Sequence, residues 1–303
     1  MSTASTSLER YAWLSIAAAL ATIGLKMLAW WLTGSVGLLS DALESLVNLA
    51  AALLMLFMLR LAAAPPDEAH QYGFSKAEYF SAGIEGALIV LAAAGILLTA
   101  IPRLIAPQPL EAPLLGLGIT FVASLINLGT AGVLIRAGRR HGSITLEADG
   151  KHLMTDVWTS AGVIAGVALV VVTGWLRLDP LIALVVALHI VWIGFGLMRR
   201  SWKGLLDAAI SPEDTREVTR LFAEYSKRYG VAFHALRTRQ AGMRRFISFH
   251  MLVPDEWSVA QAHRLSEEIE ERIRMLVPNA GVFVHIEPIS DPSSYDDQHL
   301  DRA

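Results

Sequence analysis

Six apolar runs, at about 11–32, 36–59, 79–101, 113–135, 153–176 and 180–198, constrain this chain more than any other feature. A hydrocarbon layer of ~30 Å takes about 20 residues of helix to cross, so the runs predict six membrane spans. Composition agrees: 54% of residues are hydrophobic and only 17% charged, outside the usual soluble range. The start, Met1 to Arg10, is polar, and the run behind it exceeds the roughly 7–15 residues of a signal-peptide core, so it reads as a retained first span. Arg60, Lys76, Arg136, Arg139, Arg140, Lys151, Arg199, Arg200 and Lys203 gather in connections on one side, against Arg103 and Arg177 on the other. Basic residues mark the cytoplasmic side, which predicts that both termini are cytoplasmic. With a formal net charge of −3 and no soluble basic stripe, the expected partner is a lipid bilayer and not nucleic acid. The chain has no cysteine, so it forms no disulfide framework. Any metal must then be held by imidazole, carboxylate or carbonyl, which argues against copper(I).

Two polar triplets interrupt this greasy sequence with one spacing: Asp41, Glu44 and Asn48 in the second run, and Asp149, His152 and Asp156 at the head of the fifth. Steps of three and then four residues stack side chains along one helix face. Unpaired carboxylates in hydrocarbon cost several kcal/mol at least, and convergent ligands around a divalent cation offset that cost. Glu44, Asn48, His152 and Asp156 would make a tetrahedral N/O site whose two carboxylates match one divalent ion. The competing reading is that these groups only hydrogen-bond between helices. Asp41 and Asp149, one turn away, would line the way in or orient the ligands. Because His152 and Asp156 sit at the head of their run, that helix must extend beyond it. Glu85 and Lys26 also lie in apolar runs, without sequence neighbours arranged like the columns, so pairing or snorkelling competes with function.

After Trp202 the long apolar runs stop, and Ser211-Pro212-Glu213-Asp214 reads as a helix start. The expected pattern is helix (212–229), strand (231–239), strand (244–253), helix (258–277, opened by a Ser258-x-x-Gln261 capping box) and strand (281–288). The fold class is therefore an α-helical polytopic membrane domain of six spans over 1–203, an α+β domain over 204–290 and a disordered tail over 291–303. Strand alternation sends Ile247, Phe249, Met251 and Val253 inward and leaves His250 on the other face; Val282, Val284 and Ile286 likewise leave His285 and Glu287 outside. With His234 and His263, these five ligands could hold two metal ions, although scattered surface histidines are also common. In the polar loop 67–78, Asp67 and His70 could bind metal weakly, against a default reading as a solvated loop.

The Gly34-Ser35-Val36 and Ser40-Asp41-Ala42 stretch, the Gly73-Phe74-Ser75-Lys76-Ala77-Glu78 loop, the Asp149-x-x-His152-x-x-x-Asp156 column and the His234-Ala-Leu-Arg-Thr-Arg-Gln240 segment occur together and in order. On these markers the chain resembles the cation diffusion facilitator family, especially its bacterial zinc and iron efflux members. The resemblance implies a homodimer of six-span protomers in the bacterial inner membrane, with a metallochaperone-like (ferredoxin-like) cytoplasmic domain. It implies export of divalent metal, zinc foremost and otherwise iron, manganese, cobalt or cadmium, in exchange for protons by alternating access. By position, Glu44, Asn48, His152 and Asp156 match the family's transport site, and His234, His250, His263, His285 and Glu287 match the two-metal site of the cytoplasmic domains. Lys76 and Asp207 match an interprotomer charge pair. Relatives with zinc preference often carry two aspartates where this chain has Glu44 and Asn48. Phe74 stands where a histidine ligand of the loop site is usual, and Glu287 replaces an aspartate. Two other classes compete: an intramembrane metalloenzyme, for which no His-Glu-x-x-His helix is present, and a membrane-anchored metal sensor without transport. The chain is accordingly expected not to be an enzyme.

Overall fold

The structure is a computed structural model that describes residues 3–33, 36–107 and 114–296. It divides into two compact units, Met1–Trp202 and Lys203–Ala303.

The first unit consists of helices α1 (Thr3–Thr33), α2 (Val36–Ala62), α3 (Ala77–Ile105), α4 (Leu114–His141), α5 (Ile144–Thr173) and α6 (Leu178–Leu205), the last running into the second unit. Among the described residues four stretches are long and apolar enough to cross a membrane: Leu8–Leu28, Ala77–Ile105, Gly118–His141 and Pro180–Leu205. Six were expected. Helix α2 shows a shorter apolar stretch, Asn48–Ala62, because only the described residues count. No such stretch falls on α5, for the same reason.

Helix α5 begins well before its apolar run, as the position of His152 required. Gly142, at φ +69°, makes the turn out of α4, and the Ser143 side chain caps α5 by accepting from Leu146 N–H. The same Ser143 hydroxyl donates to the Glu78 carboxylate, and Thr145 Oγ1 donates to the Glu78 carbonyl at 3.0 Å. An acidic side chain is favourable beside a helix N-terminus, so α3 and α5 start side by side and run in the same direction. At this end Glu147 binds Lys151 at 2.9 Å and Arg200 of α6 at 2.7 Å, while Arg60 of α2 pairs with Glu9 of α1 at 3.0 Å.

In lipid, helices associate through close packing of small residues and not through hydrophobic exclusion. A Cβ at Gly150 of α5 would lie 3.0 Å from Ile135 N and 3.1 Å from Ala131 O of α4, so α4 and α5 cross in backbone contact. Gly86 of α3 and Gly194 of α6 are reciprocal, each Cβ falling within 3.0 Å of the other's carbonyl oxygen. Helix α5 also packs on α3 and α2, and α1 packs on α2 and α4.

The second unit is α7 (Pro212–Tyr229), β1 (Ala232–Ala241), β2 (Arg244–Val253), α8 (Val259–Leu276) and β3 (Ala280–Pro288). Strands β1 and β2 form an antiparallel hairpin closed at Gly242, whose φ of +57° suits glycine. Helix α8 then crosses over to bring β3 parallel to β2, giving the order β1-β2-β3. Alternation works as expected: Ile247, Phe249, Met251 and Val253 are buried with Val218, Leu221 and Phe222 of α7 and Leu265, Ile269 and Ile273 of α8. Phe222 stacks on Phe233 at 4.4 Å and tilts against Phe249 at 4.6 Å. Each such side chain contributes about 1.5–3 kcal/mol by leaving water, enough for one core with both helices on a single sheet face. The other face keeps its histidines.

The tail was expected to be disordered from 291. Instead Pro292–Tyr295 forms a 3-10 turn. Asp291 accepts from Ser293 N at 2.9 Å, Ser294 Oγ donates to the Pro288 carbonyl at 2.9 Å, and Tyr295 OH donates to the Ile289 carbonyl at 3.0 Å. Local polar capping orders this segment without apolar periodicity. Residues 297–303 lie outside the described residues.

Candidate metal centres

In the membrane unit the two polar columns meet. Asn48 of α2 sits between the two ligands of α5: its Nδ2 donates to Asp156 Oδ2, and its Oδ1 lies 2.7 Å from His152 Nε2. A ring proton on Nε2 donates to that amide oxygen, completing a chain from Asp156 through Asn48 to His152. Asn48 is 3% and His152 4% exposed, so the chain lies inside the helix packing. His152 Nδ1 is buried with no hydrogen-bond partner. The donor set, one imidazole, one carboxylate and one amide oxygen, suits a borderline divalent cation. The side chains of Glu44 and Asp41 lie outside the described residues. Asp149 points elsewhere, its Oδ2 accepting from Ser15 Oγ of α1 at 2.6 Å.

Sequence reasoning missed two neighbours. Asn127 of α4 reaches Asp156 Oδ2 at 3.4 Å, a contact made by the close α4–α5 crossing. The second corrects the reading of Glu85 as lacking a column. Glu78, Ser81 and Glu85 repeat the same steps of three and four on α3, are 1%, 0% and 0% exposed, and Ser81 Oγ donates to Glu85 Oε1 at 3.0 Å. The spacing was visible in the sequence, hidden by a serine in the place of an ionisable residue. Lys26 is buried on α1 and not without a partner.

In the second unit the register sets His234, His250 and His285 opposite one another on three neighbouring strands. Ring centroids are 4.9 Å apart for the first pair and 5.0 Å for the second. A β-bulge follows His234, with Ala235 at φ +50°, a conformation that costs a non-glycine residue roughly 1–2 kcal/mol. Bulges re-aim side chains, and this one turns His234 toward Glu287. Glu287 Oε2 lies 2.9 Å from His234 Nε2 and 3.2 Å from His250 Nδ1, and its Oε1 is 3.4 Å from His285 Nε2. Ligand atoms of His234, His250 and Glu287 all fall within 4.8 Å of one another. Zinc–ligand bonds of about 2.0–2.1 Å put tetrahedral donors about 3.3 Å apart, so rotamer adjustment alone closes these three on one ion. Buried His234 Nδ1 has no hydrogen-bond partner. His263 is exposed on α8 and is not part of this group.

Asp67 Oδ1 accepts from the His70 backbone at 2.5 Å and from its ring Nδ1 at 3.0 Å, both residues being exposed. Desolvation pushes the Asp67 carboxyl up, but the His70 hydrogen bonds and charge outweigh it and hold the group below its ordinary value. Phe74 packs its ring 4.5 Å from His70. Asp207, at φ +55°, pairs with Arg239 of its own unit at 3.3 Å, and Lys76 is the N-cap residue of α3.

Comparison with known proteins follows the same division. Residues 12–206 match the family described as cation efflux transmembrane domain, and residues 210–289 match that described as cation efflux protein, cytoplasmic domain. The chain is 51% identical over 292 residues to an uncharacterized transporter of Synechocystis sp., covering 96% of this chain and 93% of that protein. It is 34% identical over 276 residues to the cation-efflux pump FieF of Yersinia pestis, covering 90% and 91%. Against FieF of Salmonella arizonae the identity is 32% over 282 residues, covering 93% of each. With both units matched and relatives aligned over nearly the whole length, the chain belongs to the cation efflux family, as a helical membrane transporter of metal cations with a C-terminal cytoplasmic α+β domain.

Proposed function

We propose that this protein exports divalent transition-metal ions from the cytoplasm in exchange for protons, by alternating access in a homodimer. The observation that supports this best is the bridge of Asn48 between His152 and Asp156, which draws ligands of α2 and α5 to one buried point. With Glu44 they form the transport site, and Asp41 and Asp149 flank it. A metal must displace protons from two carboxylates and compete with the ring proton of His152, so binding releases protons and affinity rises with pH. Protonation on the outer side then ejects the ion, and the site reloads inside.

His234, His250, His263, His285 and Glu287 hold metal in the cytoplasmic domain and stabilise the dimer, His263 joining from α8. The sheet-face cluster of three ligand atoms supports this role. Lys76 and Asp207 pair between protomers, while Asp67 and His70 make at most a weak loop site. The protein sits in a bacterial inner membrane with cytoplasmic termini, acts as a carrier and not an enzyme, and prefers zinc, with iron, manganese, cobalt and cadmium as further candidates.

Purified protein in vesicles with an imposed pH gradient, offered Zn(II), Fe(II), Mn(II), Co(II) and Cd(II) in competition, tests the reading. His152→Ala and Asp156→Ala should each abolish nearly all uptake. Substantial uptake in both variants removes this site from the mechanism, and binding without depletion of the outside pool identifies a sensor.

A further inference from the structure

The third polar column, on α3, is not used by the metal site. Glu78, Ser81, Ala82, Glu85, Ile89 and Ala93 form a single buried stripe on that helix. Its first member is tied to the start of α5 through Ser143 and Thr145. Glu85 lies eight residues after Ala77 and His152 eight residues after Ile144, so at ~1.5 Å per residue both sit about 12 Å along helices that start together. Glu85 is therefore level with the candidate transport site but on a different helix.

Glu85 is 0% exposed; Ser81 satisfies Oε1, and Oε2 has no hydrogen-bond partner. Asp149, the charged group that acts on it from α5, is 1% exposed, is held through Oδ2 by Ser15, and keeps Oδ1 unpartnered. Helix α6 meets α3 near Glu85 through Gly194, Met198 and Ser201, none of them charged. The one titratable side chain among the described residues of α2 is Arg60, at the far end and paired with Glu9. His152 and Asp156 act on Asp149 from the same helix. Two buried carboxyl groups on neighbouring helices thus keep one unmatched oxygen each. A bare anion at Glu85 would be costly at this depth, and a proton removes that cost. The donors are all oxygen and include no imidazole, a set that suits a proton better than a borderline transition metal.

We propose that Glu85 is a proton-carrying carboxyl, separate from the metal ligands, which couples proton movement to metal export through the joined α3–α5 pair. This rests on the exchange reading above. It deepens that reading by moving part of the proton traffic off the ligands themselves.

The test uses the full chain in vesicles containing a pH-sensitive dye, with Zn(II) as the transported ion. Wild type, Glu85→Gln, Glu85→Ala and Glu85→Asp are compared for metal binding, for flux down a metal gradient and for uphill uptake driven by a pH gradient. Two non-ionisable variants are included so that a folding failure in one leaves the other. Glu85→Gln and Glu85→Ala should bind zinc as wild type does and pass it down its own gradient. They should lose proton counterflow and pH-driven uptake, and Glu85→Asp should keep both. Wild type without counterflow overturns the exchange reading itself. Coupled wild type with equally coupled Glu85→Gln overturns this inference alone, as does loss of zinc binding in that variant, which would make Glu85 a metal ligand. Coupling that follows a sodium gradient and ignores pH overturns the identity of the carried ion.

Discussion

Replacing Asn48 by aspartate should tighten metal binding, by an amount that follows from its two contacts. In the structure Asn48 Nδ2 donates to Asp156 and Oδ1 faces His152. A hydrogen bond to a charged group is worth about 1.5–3 kcal/mol. Asn48→Asp exchanges that donor for an acceptor and sets two carboxylates against each other, so the metal-free protein loses the full amount. The metal-bound protein does not, because both carboxylates then face a cation. The difference falls on binding, and at 1.4 kcal/mol per factor of ten it predicts affinity about 10- to 150-fold tighter at neutral pH and above. The substitution also adds a group that must shed a proton before the ion enters. The gain should therefore shrink as pH falls, and more protons should be released per ion bound. Isothermal titration calorimetry with Co(II), in buffers of differing ionisation enthalpy, reads both quantities. A background of His250→Ala with His285→Ala suppresses the cytoplasmic centre. Equal affinity and equal proton release in the variant would refute the argument that Asn48 belongs to the ligand set.

Two further outcomes follow from packing and from the sheet-face cluster. Gly150→Val forces a side chain against Ile135 N and Ala131 O, and overpacking of about 1–3 kcal/mol should lower the melting temperature in detergent and pull Asn127 away from Asp156; an unaltered melt and unaltered metal affinity would contradict the close crossing. Glu287→Ala removes the carboxylate shared by His234 and His250. At a metal concentration of 100 times Kd the ion stabilises by about 2.7 kcal/mol, and a hundredfold loss of affinity leaves about 0.4 kcal/mol. The metal-induced rise in melting temperature should nearly vanish, and a rise like that of wild type would exclude Glu287 as a ligand.

Periodicity made much of this molecule readable in advance. The step of three and four along α5 put His152 and Asp156 on one face, and strand alternation separated Phe249 and Met251 from His250. Other features depend on contacts far apart in sequence. Nothing near Asp156 announces Asn127, which is brought to it by the Gly150 crossing. Asp149 shares the column of His152 yet turns to Ser15, because side-chain direction within a face is decided by the neighbouring helix. His234 sits on a strand whose alternation is broken by the bulge at Ala235, and sequence gives no count of such an inserted residue. The turn at Pro292–Tyr295 is held by capping alone, to which hydrophobic periodicity is blind.

The three imidazoles on successive strands turn the sheet into a gauge. Strands lie ~4.8 Å apart because their amide ladders require it, and the ring spacings of 4.9 and 5.0 Å inherit that interval. Histidine rotamers can turn the ring nitrogens toward one ion, but the backbone interval beneath them stays fixed. On the proposed metal role, the ligand with reach to spare is Glu287, whose additional methylene compared with aspartate lets its oxygens move while the strand interval stays fixed.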